Sequence, residues 1–142
     1  MPQVHGILET ALYVADLARS EAFYQGLFGL PELVRDERFC ALGVAGRQVL
    51  LLFLQGGTLA PIELPGGTIG PHDARGQIHL AFAVAAEELA GWREELARRG
   101  IAVESEVRWP RGGTSVYFRD PDEHLVELAT PGIWPGITGL TA

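Results

Sequence analysis

The sequence contains no lysine, since all 11 of its basic residues are arginine. This absence excludes Schiff-base catalysis, a P-loop lysine and a lysine general base. The single cysteine, Cys40, cannot form an internal disulfide, which fits a reducing compartment. The longest aliphatic or aromatic run, residues 49–54, is too short to span a bilayer, and no signal peptide is evident. We therefore expect a cytoplasmic protein with no membrane partner.

Positive charge is also scarce. The chain of 142 residues carries a formal charge of -7, so a phosphate backbone would repel it, and we expect no nucleic-acid partner. Hydrophobic residues make up 47% of the chain, which is enough to build a core. This length allows one domain or two very small fused modules, and we predict a single domain over residues 1–142.

The two halves of the chain repeat the same order of elements. Residues 9–14 and 79–84 lie 70 positions apart and both alternate as strands do. A helical pattern follows each of them, over 17–28 with Asp16 as its N-cap and over about 86–99. Each helical pattern stops at a glycine, Gly29 or Gly100.

Three short strands are predicted after each helix. They cover 33–35, 39–44 and 48–54 in the first half, and 103–109, 114–119 and 125–129 in the second. The fold class is therefore α+β, with two tandem βαβββ modules at about 6–55 and 78–131. Residues 56–77 are rich in glycine and proline and are expected to be irregular, either as a linker or as a lid over a cavity. The tail 132–142 carries no clear signal.

Strand alternation brings three ionisable residues onto faces that also carry alanine: Glu9 beside Ala11, His79 beside Ala81, and Glu127 beside Ala129. A buried carboxylate needs a partner, and one imidazole with two carboxylates would satisfy a divalent cation. Taken singly, each residue has a simpler interpretation, in which the carboxylates reach solvent or pair with arginine and His79 is a core histidine. Their repeat-related positions favour a metal site.

The repeat also aligns Leu51 with Glu127, so the fourth ligand position holds a residue that cannot bind metal. Open coordination positions are typical of a catalytic metal. Strand alternation also places Ser115 and Tyr117 on the face of the predicted metal site. Tyr117 is there either a candidate general acid or a buried tyrosine bonded to backbone. Arg111 is a candidate for binding an anionic group of the substrate, and His72, in the 56–77 segment, is a candidate base. A partly apolar substrate would contact aromatic neighbours, for which the candidates are Tyr13, Phe53 and Trp109.

Three segments resemble the vicinal oxygen chelate family, which includes glyoxalase I, fosfomycin-resistance enzymes, extradiol dioxygenases and bleomycin-binding proteins. ETALYVADLARSEAFYQGLFG at 9–29 is similar to the family's opening segment. QIH at 77–79 is similar to its mid-chain ligand strand, and YFRDPDEHLVE at 117–127 to its closing strand. The resemblance extends from about residue 8 to residue 131.

This resemblance implies a U-shaped partial barrel around one divalent metal ion, with Glu9, His79 and Glu127 at the positions of the family's ligands. The metal would be Zn, Mn, Fe, Ni or Co. In the fosfomycin-resistance branch a serine and a tyrosine that match Ser115 and Tyr117 touch substrate, whereas that branch's lysine has no counterpart here. Family modules often pair across subunits, so we also expect a homodimer.

The family pattern is not followed everywhere. Glu9 stands where histidine is commonest, which disfavours oxygen activation, and Leu51 weakens the case for glyoxalase I proper. Glu123 replaces the usual glycine of a turn, and would be strained by about 1 kcal/mol if that turn needs a positive φ.

We therefore expect a metal-dependent enzyme acting on a small oxygenated organic substrate by lyase, isomerase or thiol-transferase chemistry. The metal would stabilise an oxyanion or enolate, while Glu9 or Glu127 moves a proton. The alternatives are a ring-cleaving extradiol-type dioxygenase and a non-catalytic ligand-binding protein of the bleomycin-resistance type.

Overall fold

The computed structural model describes residues 1–137, and the chain divides into two compact units with the boundary between Arg75 and Gly76. No helix within the described residues is long and apolar enough to cross a membrane. The predicted tail is described as far as residue 137, and its last five residues lie outside the described part.

Unit 1 contains one helix and a four-stranded sheet, followed by a two-stranded sheet. The four-stranded sheet has the order β1-β4-β3-β2, with β1 and β4 parallel and the other pairs antiparallel. Its elements are β1 (Glu9–Val14), α1 (Leu17–Phe28), β2 (Glu32–Arg35), β3 (Phe39–Val44), β4 (Gln48–Leu54), β5 (Ile62–Leu64) and β6 (Gly67–Ile69).

Unit 2 repeats this topology with the order β7-β10-β9-β8, in which β7 and β10 are parallel. A 3₁₀ turn, Ala86–Glu88, precedes its helix. The elements are β7 (His79–Ala83), α2 (Leu89–Arg98), β8 (Ser105–Arg108), β9 (Thr114–Arg119) and β10 (Leu125–Ala129). The α+β class and the two βαβββ modules are thus confirmed, whereas the single-domain assignment, the module limits and the U shape stay predictions.

The strand register of the two units follows the repeat that the sequence predicts. Ala11 pairs with Leu51 in unit 1, and Ala81 pairs with Glu127 in unit 2. Offsets of 70 and 76 residues therefore relate equivalent positions, as the alignment of Leu51 with Glu127 requires. The same rule makes Glu9 the equivalent of His79.

Capping and alternation explain why these segments fold as they do. The Asp16 carboxylate accepts a hydrogen bond from the Arg19 amide at 3.0 Å, and Gly29 ends α1 with a φ of 66°. Alternate strand positions bury their side chains under the helices, and this gives each unit its own core. Fully buried core residues are Leu12, Val14, Tyr24, Cys40, Leu42 and Leu52 in unit 1, and Leu96, Val116, Phe118, Val126 and Leu128 in unit 2.

The expectation that residues 56–77 are irregular throughout is wrong, because β5 and β6 form a hairpin within them. Pro65 and Gly66 occupy its turn, and proline followed by glycine suits a tight turn. The base of the segment is also fixed, because the Thr58 hydroxyl donates to the His72 carbonyl while the His72 amide donates to the Thr58 carbonyl at 3.0 Å.

Glu123 has a φ of 66°, so the strain predicted for this position is present. Replacing Glu123 with glycine is expected to raise the free energy of unfolding by up to about 1 kcal/mol, since glycine adopts this conformation without a Cβ penalty. Glu123→Ala is the matched control, because it removes the same charge and keeps the Cβ. Urea denaturation measures both variants, and an equal gain in the two would show that charge, not backbone strain, is responsible.

Candidate metal centre

Glu127 lies in the middle of the unit 2 sheet. Its strand, β10, is flanked by β7 and β9, which place Ala81 and Tyr117 directly opposite it. Only 10% of the Glu127 side chain is exposed to solvent, whereas half of the His79 side chain is exposed. The small Ala81 side chain leaves room beside the carboxylate on the face that His79 shares.

His79 and Glu127 approach each other through a ring nitrogen of the imidazole and an oxygen of the carboxylate. His79 Nε2 lies 3.2 Å from Glu127 Oε1, and His79 Nδ1 lies 2.9 Å from the carbonyl oxygen of Leu125. A carbonyl can only accept, so Nδ1 carries the proton of this hydrogen bond. Nε2 of a neutral imidazole then directs a lone pair at the carboxylate, and the contact requires either a second proton or a cation between the two atoms.

The 3.2 Å separation fits two ligands of one metal ion. Bonds of about 2.1 Å from zinc to nitrogen and oxygen place neighbouring ligand atoms about 3.0 Å apart at a right angle and about 3.4 Å apart in a tetrahedron. The backbone carbonyl that holds Nδ1 is also the usual partner of a metal-binding histidine. The described residues thus fit a divalent ion at His79 Nε2 and Glu127 Oε1.

A chain of hydrogen bonds reaches the other oxygen of Glu127. The Ser115 hydroxyl donates to Oε2 at 2.6 Å, and the Trp109 indole N–H donates to Ser115 Oγ at 2.8 Å. Ser115 is fully buried, while Trp109 and Tyr117 are half-buried. The Tyr117 ring lies 6.2 Å from the His79 ring, so five of the predicted site residues of unit 2 form one cluster.

The predicted site residues of unit 1 form an aromatic cluster. The Tyr13 hydroxyl lies 2.6 Å from His72 Nδ1, and Tyr13 stacks on Phe53 with the ring centres 5.7 Å apart. His72 meets Phe53 edge-on at 4.6 Å. Burial, and after it the negative charge of Asp73, raises the pKa of the Tyr13 phenol, so this hydroxyl stays protonated at neutral pH.

Two other predicted residues lie on the surface of their units. Glu9 is exposed at the start of β1, opposite Val49. Arg111 is exposed in the turn between β8 and β9. The roles assigned to both residues stay predictions.

Sequence reasoning missed several residues that support these clusters. Phe39 extends the aromatic cluster, with its ring centre 5.9 Å from that of Phe53. Pairing the two predicted strands as a hairpin would have placed Phe39 opposite Phe53. His124 is fully buried, and its Nδ1 accepts a hydrogen bond of 2.9 Å from the amide of Ile78. Ile78 is the residue directly before His79. No spacing rule indicates that bond, because the two residues are 46 positions apart.

Within the described residues, two further groups bring three ligand atoms within 4.8 Å of one another: Asp120 with Asp122 and His124, and Glu21 with Glu32 and Cys40. In the first, Asp120 Oδ1 already accepts two backbone amides. In the second, Arg35 Nε donates a hydrogen bond of 2.7 Å to Glu21 Oε2. Because these carboxylates already accept strong hydrogen bonds, both groups are poorer metal sites than the pair formed by His79 and Glu127.

Burial raises the pKa of the Cys40 thiol to about 12, with Glu21 and Glu32 adding to the effect. Folding therefore favours the neutral thiol, and the stability this gives is present below pH 9 and is lost as the pH rises towards 12. Between these values the free energy of unfolding should fall about 1.4 kcal/mol per pH unit more steeply in the wild type than in Cys40→Ala. Urea denaturation across this range tests the prediction, which parallel pH profiles would contradict.

The repeated βαβββ topology and the paired imidazole and carboxylate are features of one class of protein. Residues 6–128 match the family model of the Glyoxalase/Bleomycin resistance protein/Dioxygenase superfamily. The chain belongs to this superfamily, which is the vicinal oxygen chelate family that the sequence resembles.

Individual relatives resemble the chain along most of its length. A crystal structure titled lactoylglutathione lyase from Agrobacterium tumefaciens is 35% identical, covers 96% of this chain and 100% of its own, and has a TM-score of 0.85. Metallothiol transferase FosB of Bacillus licheniformis is 29% identical over 133 residues, which are 93% of this chain and 79% of FosB. The structure of FosX from Listeria monocytogenes is 25% identical, with coverage of 90% and 94% and a TM-score of 0.67.

Proposed function

We propose that the protein is a metal-dependent enzyme that acts on a small oxygenated substrate together with a thiol. The observation that carries the proposal is the 3.2 Å approach of His79 Nε2 to Glu127 Oε1, which is the separation of neighbouring ligand atoms on one metal ion. The role of Glu9, the unit 1 equivalent of His79, as a further ligand stays a prediction of the sequence. His79 and Glu127 would hold the divalent ion, which would supply a Lewis acid for a substrate oxygen.

The names of relatives support the thiol. One relative is a metallothiol transferase and another is titled a lactoylglutathione lyase, so both names include a sulfur compound. The absence of lysine removes one way of binding an anionic substrate, and we propose that the Arg111 guanidinium takes this role. The Tyr117 hydroxyl, on the strand next to Glu127, is proposed to donate a proton or hydrogen bond to substrate oxygen.

The aromatic cluster of unit 1 supports a partly apolar substrate. Tyr13, Phe53 and His72 place three rings within 5.8 Å of one another by their centres. Tyr13 and Phe53 stack, and His72 meets both of them edge-on, so the three rings form an apolar cluster. We propose that this aromatic cluster binds an apolar part of a substrate.

The test uses protein that has been stripped with a chelator and reloaded separately with Mn, Fe, Co, Ni, Zn or no metal. Each preparation is assayed with fosfomycin plus a small thiol, with fosfomycin alone, with the adduct of glutathione and an α-ketoaldehyde, and with a catechol. The proposal expects metal-dependent turnover in a thiol-containing assay. Turnover of the catechol alone would favour a dioxygenase, and tight ligand binding without metal or turnover would favour a binding protein.

A further inference from the structure

We propose that Trp109 and Ser115 are positioning residues that set the direction of the Glu127 carboxylate, and that Ser115 does not donate to substrate. The proposal rests on the proposed metal site and goes beyond it. It also departs from what the family resemblance implies for Ser115, which is contact with substrate.

The direction of the hydrogen bonds follows from the donor types. An indole N–H can only donate, so Ser115 Oγ accepts from Trp109 at 2.8 Å. The hydroxyl has a single proton, and at 2.6 Å it lies on Glu127 Oε2, a charge-assisted bond of the strong kind. With its proton committed to the carboxylate, and with Ser115 fully buried, the hydroxyl has no donor left for a substrate.

The consequence appears at the other carboxylate oxygen. Because Ser115 holds Oε2, rotation of the carboxylate is restricted and Oε1 stays directed at His79 Nε2, 3.2 Å away. His79 is held in the same way, through Nδ1 and the carbonyl of Leu125. Both atoms that face the proposed ion are thus fixed by a partner on their far side, which is how supporting hydrogen bonds raise the affinity of a metal site.

Trp109 is held by its own turn and not by the site. Its amide donates to the Gly113 carbonyl at 2.8 Å, and its carbonyl accepts from the Gly112 amide at 2.9 Å. A Cβ on Gly113 would lie 2.6 Å from a side-chain carbon of Ile133, so only glycine allows this close approach. The turn therefore fixes the start of the chain that runs from Trp109 through Ser115 to Glu127.

The test measures the affinity for Mn²⁺ and Ni²⁺ by calorimetry in the wild type, Trp109→Phe, Ser115→Ala and the double variant. Removing a supporting hydrogen bond of this kind costs about 10- to 100-fold in metal affinity. If Trp109 acts through Ser115, the double variant is expected to bind no more weakly than Ser115→Ala. Trp92→Phe, in α2, is the matched control and should bind like the wild type.

A second readout needs no metal. The indole N–H signal of Trp109 is one of three tryptophan signals in an NMR spectrum, and it should move in Ser115→Ala and stay in place in Trp92→Phe. Wild-type affinity in the single variants, or losses that add fully in the double variant, would overturn the positioning role while leaving the metal site intact. If the wild type binds none of Mn²⁺, Fe²⁺, Co²⁺, Ni²⁺ and Zn²⁺, the proposed function fails, and this inference fails with it.

Discussion

Replacing Glu127 with glutamine is expected to lower the affinity for a divalent ion by about 100-fold or more, because a neutral amide replaces the only carboxylate that faces His79 Nε2 within the described part of unit 2. A 100-fold loss corresponds to about 2.7 kcal/mol of binding free energy. Glutamine matches glutamate in shape, and its amide oxygen can still accept from Ser115, so the fold should be retained. Calorimetry with Mn²⁺, Ni²⁺ or Zn²⁺ measures the loss, and circular dichroism checks the fold.

Glu106→Gln is the matched control, since Glu106 lies on β8 of the same sheet and pairs with Arg93 on the surface. His79→Ala should weaken binding as Glu127→Gln does, whereas His5→Ala, at an exposed N-terminal residue, should not. If Glu127→Gln binds metal as tightly as Glu106→Gln, the carboxylate is not a ligand.

Replacing Asp120 with alanine is expected to lower the free energy of unfolding by about 3 kcal/mol. Asp120 is only 3% exposed, and its Oδ1 accepts the amides of Asp122 and His124, both at 2.9 Å. Hydrogen bonds to a charged group contribute about 1.5–3 kcal/mol each, and their loss leaves the buried His124 amide without this acceptor. The turn that leads into β10 should therefore loosen in this variant.

Asp120→Asn separates the acceptor from the charge, since the asparagine side-chain oxygen can still accept both amides. We expect it to lose less than half of what Asp120→Ala loses in urea denaturation. If both variants lose the same free energy of unfolding, the charge is responsible for the effect. If Asp120→Ala loses less than about 1 kcal/mol, the turn does not depend on these hydrogen bonds.

Where the local pattern was strong, the sequence alone was sufficient to predict the fold. The limits of β1, β3, β4, β9 and β10 agree with the structure, because alternation and turn residues bound them on both sides. The edge strands β2 and β8 differ from their predicted limits by one to two residues at an end. Both are short strands of four residues at an edge of their sheet, so few hydrogen bonds define where they stop, whereas the longer edge strand β1 is paired along all six of its residues.

The candidate site was predictable only in part. Strand parity indicates that Ser115, Tyr117 and Glu127 share a face, and the register explains why, since Tyr117 lies opposite Glu127. Parity does not show that Trp109 turns back onto Ser115, because that contact depends on the turn closed at Gly113. It also assigns no direction to a hydrogen bond, and this direction distinguishes a serine that supports Glu127 from one that contacts substrate.

Anomalous diffraction from crystals soaked in Mn²⁺ or Zn²⁺ shows whether His79 and Glu127 bind one divalent ion. We expect a single strong anomalous peak about 2.0–2.2 Å from both His79 Nε2 and Glu127 Oε1. A peak at Asp120, Asp122 and His124 or at Glu21, Glu32 and Cys40, with none beside His79, would contradict it.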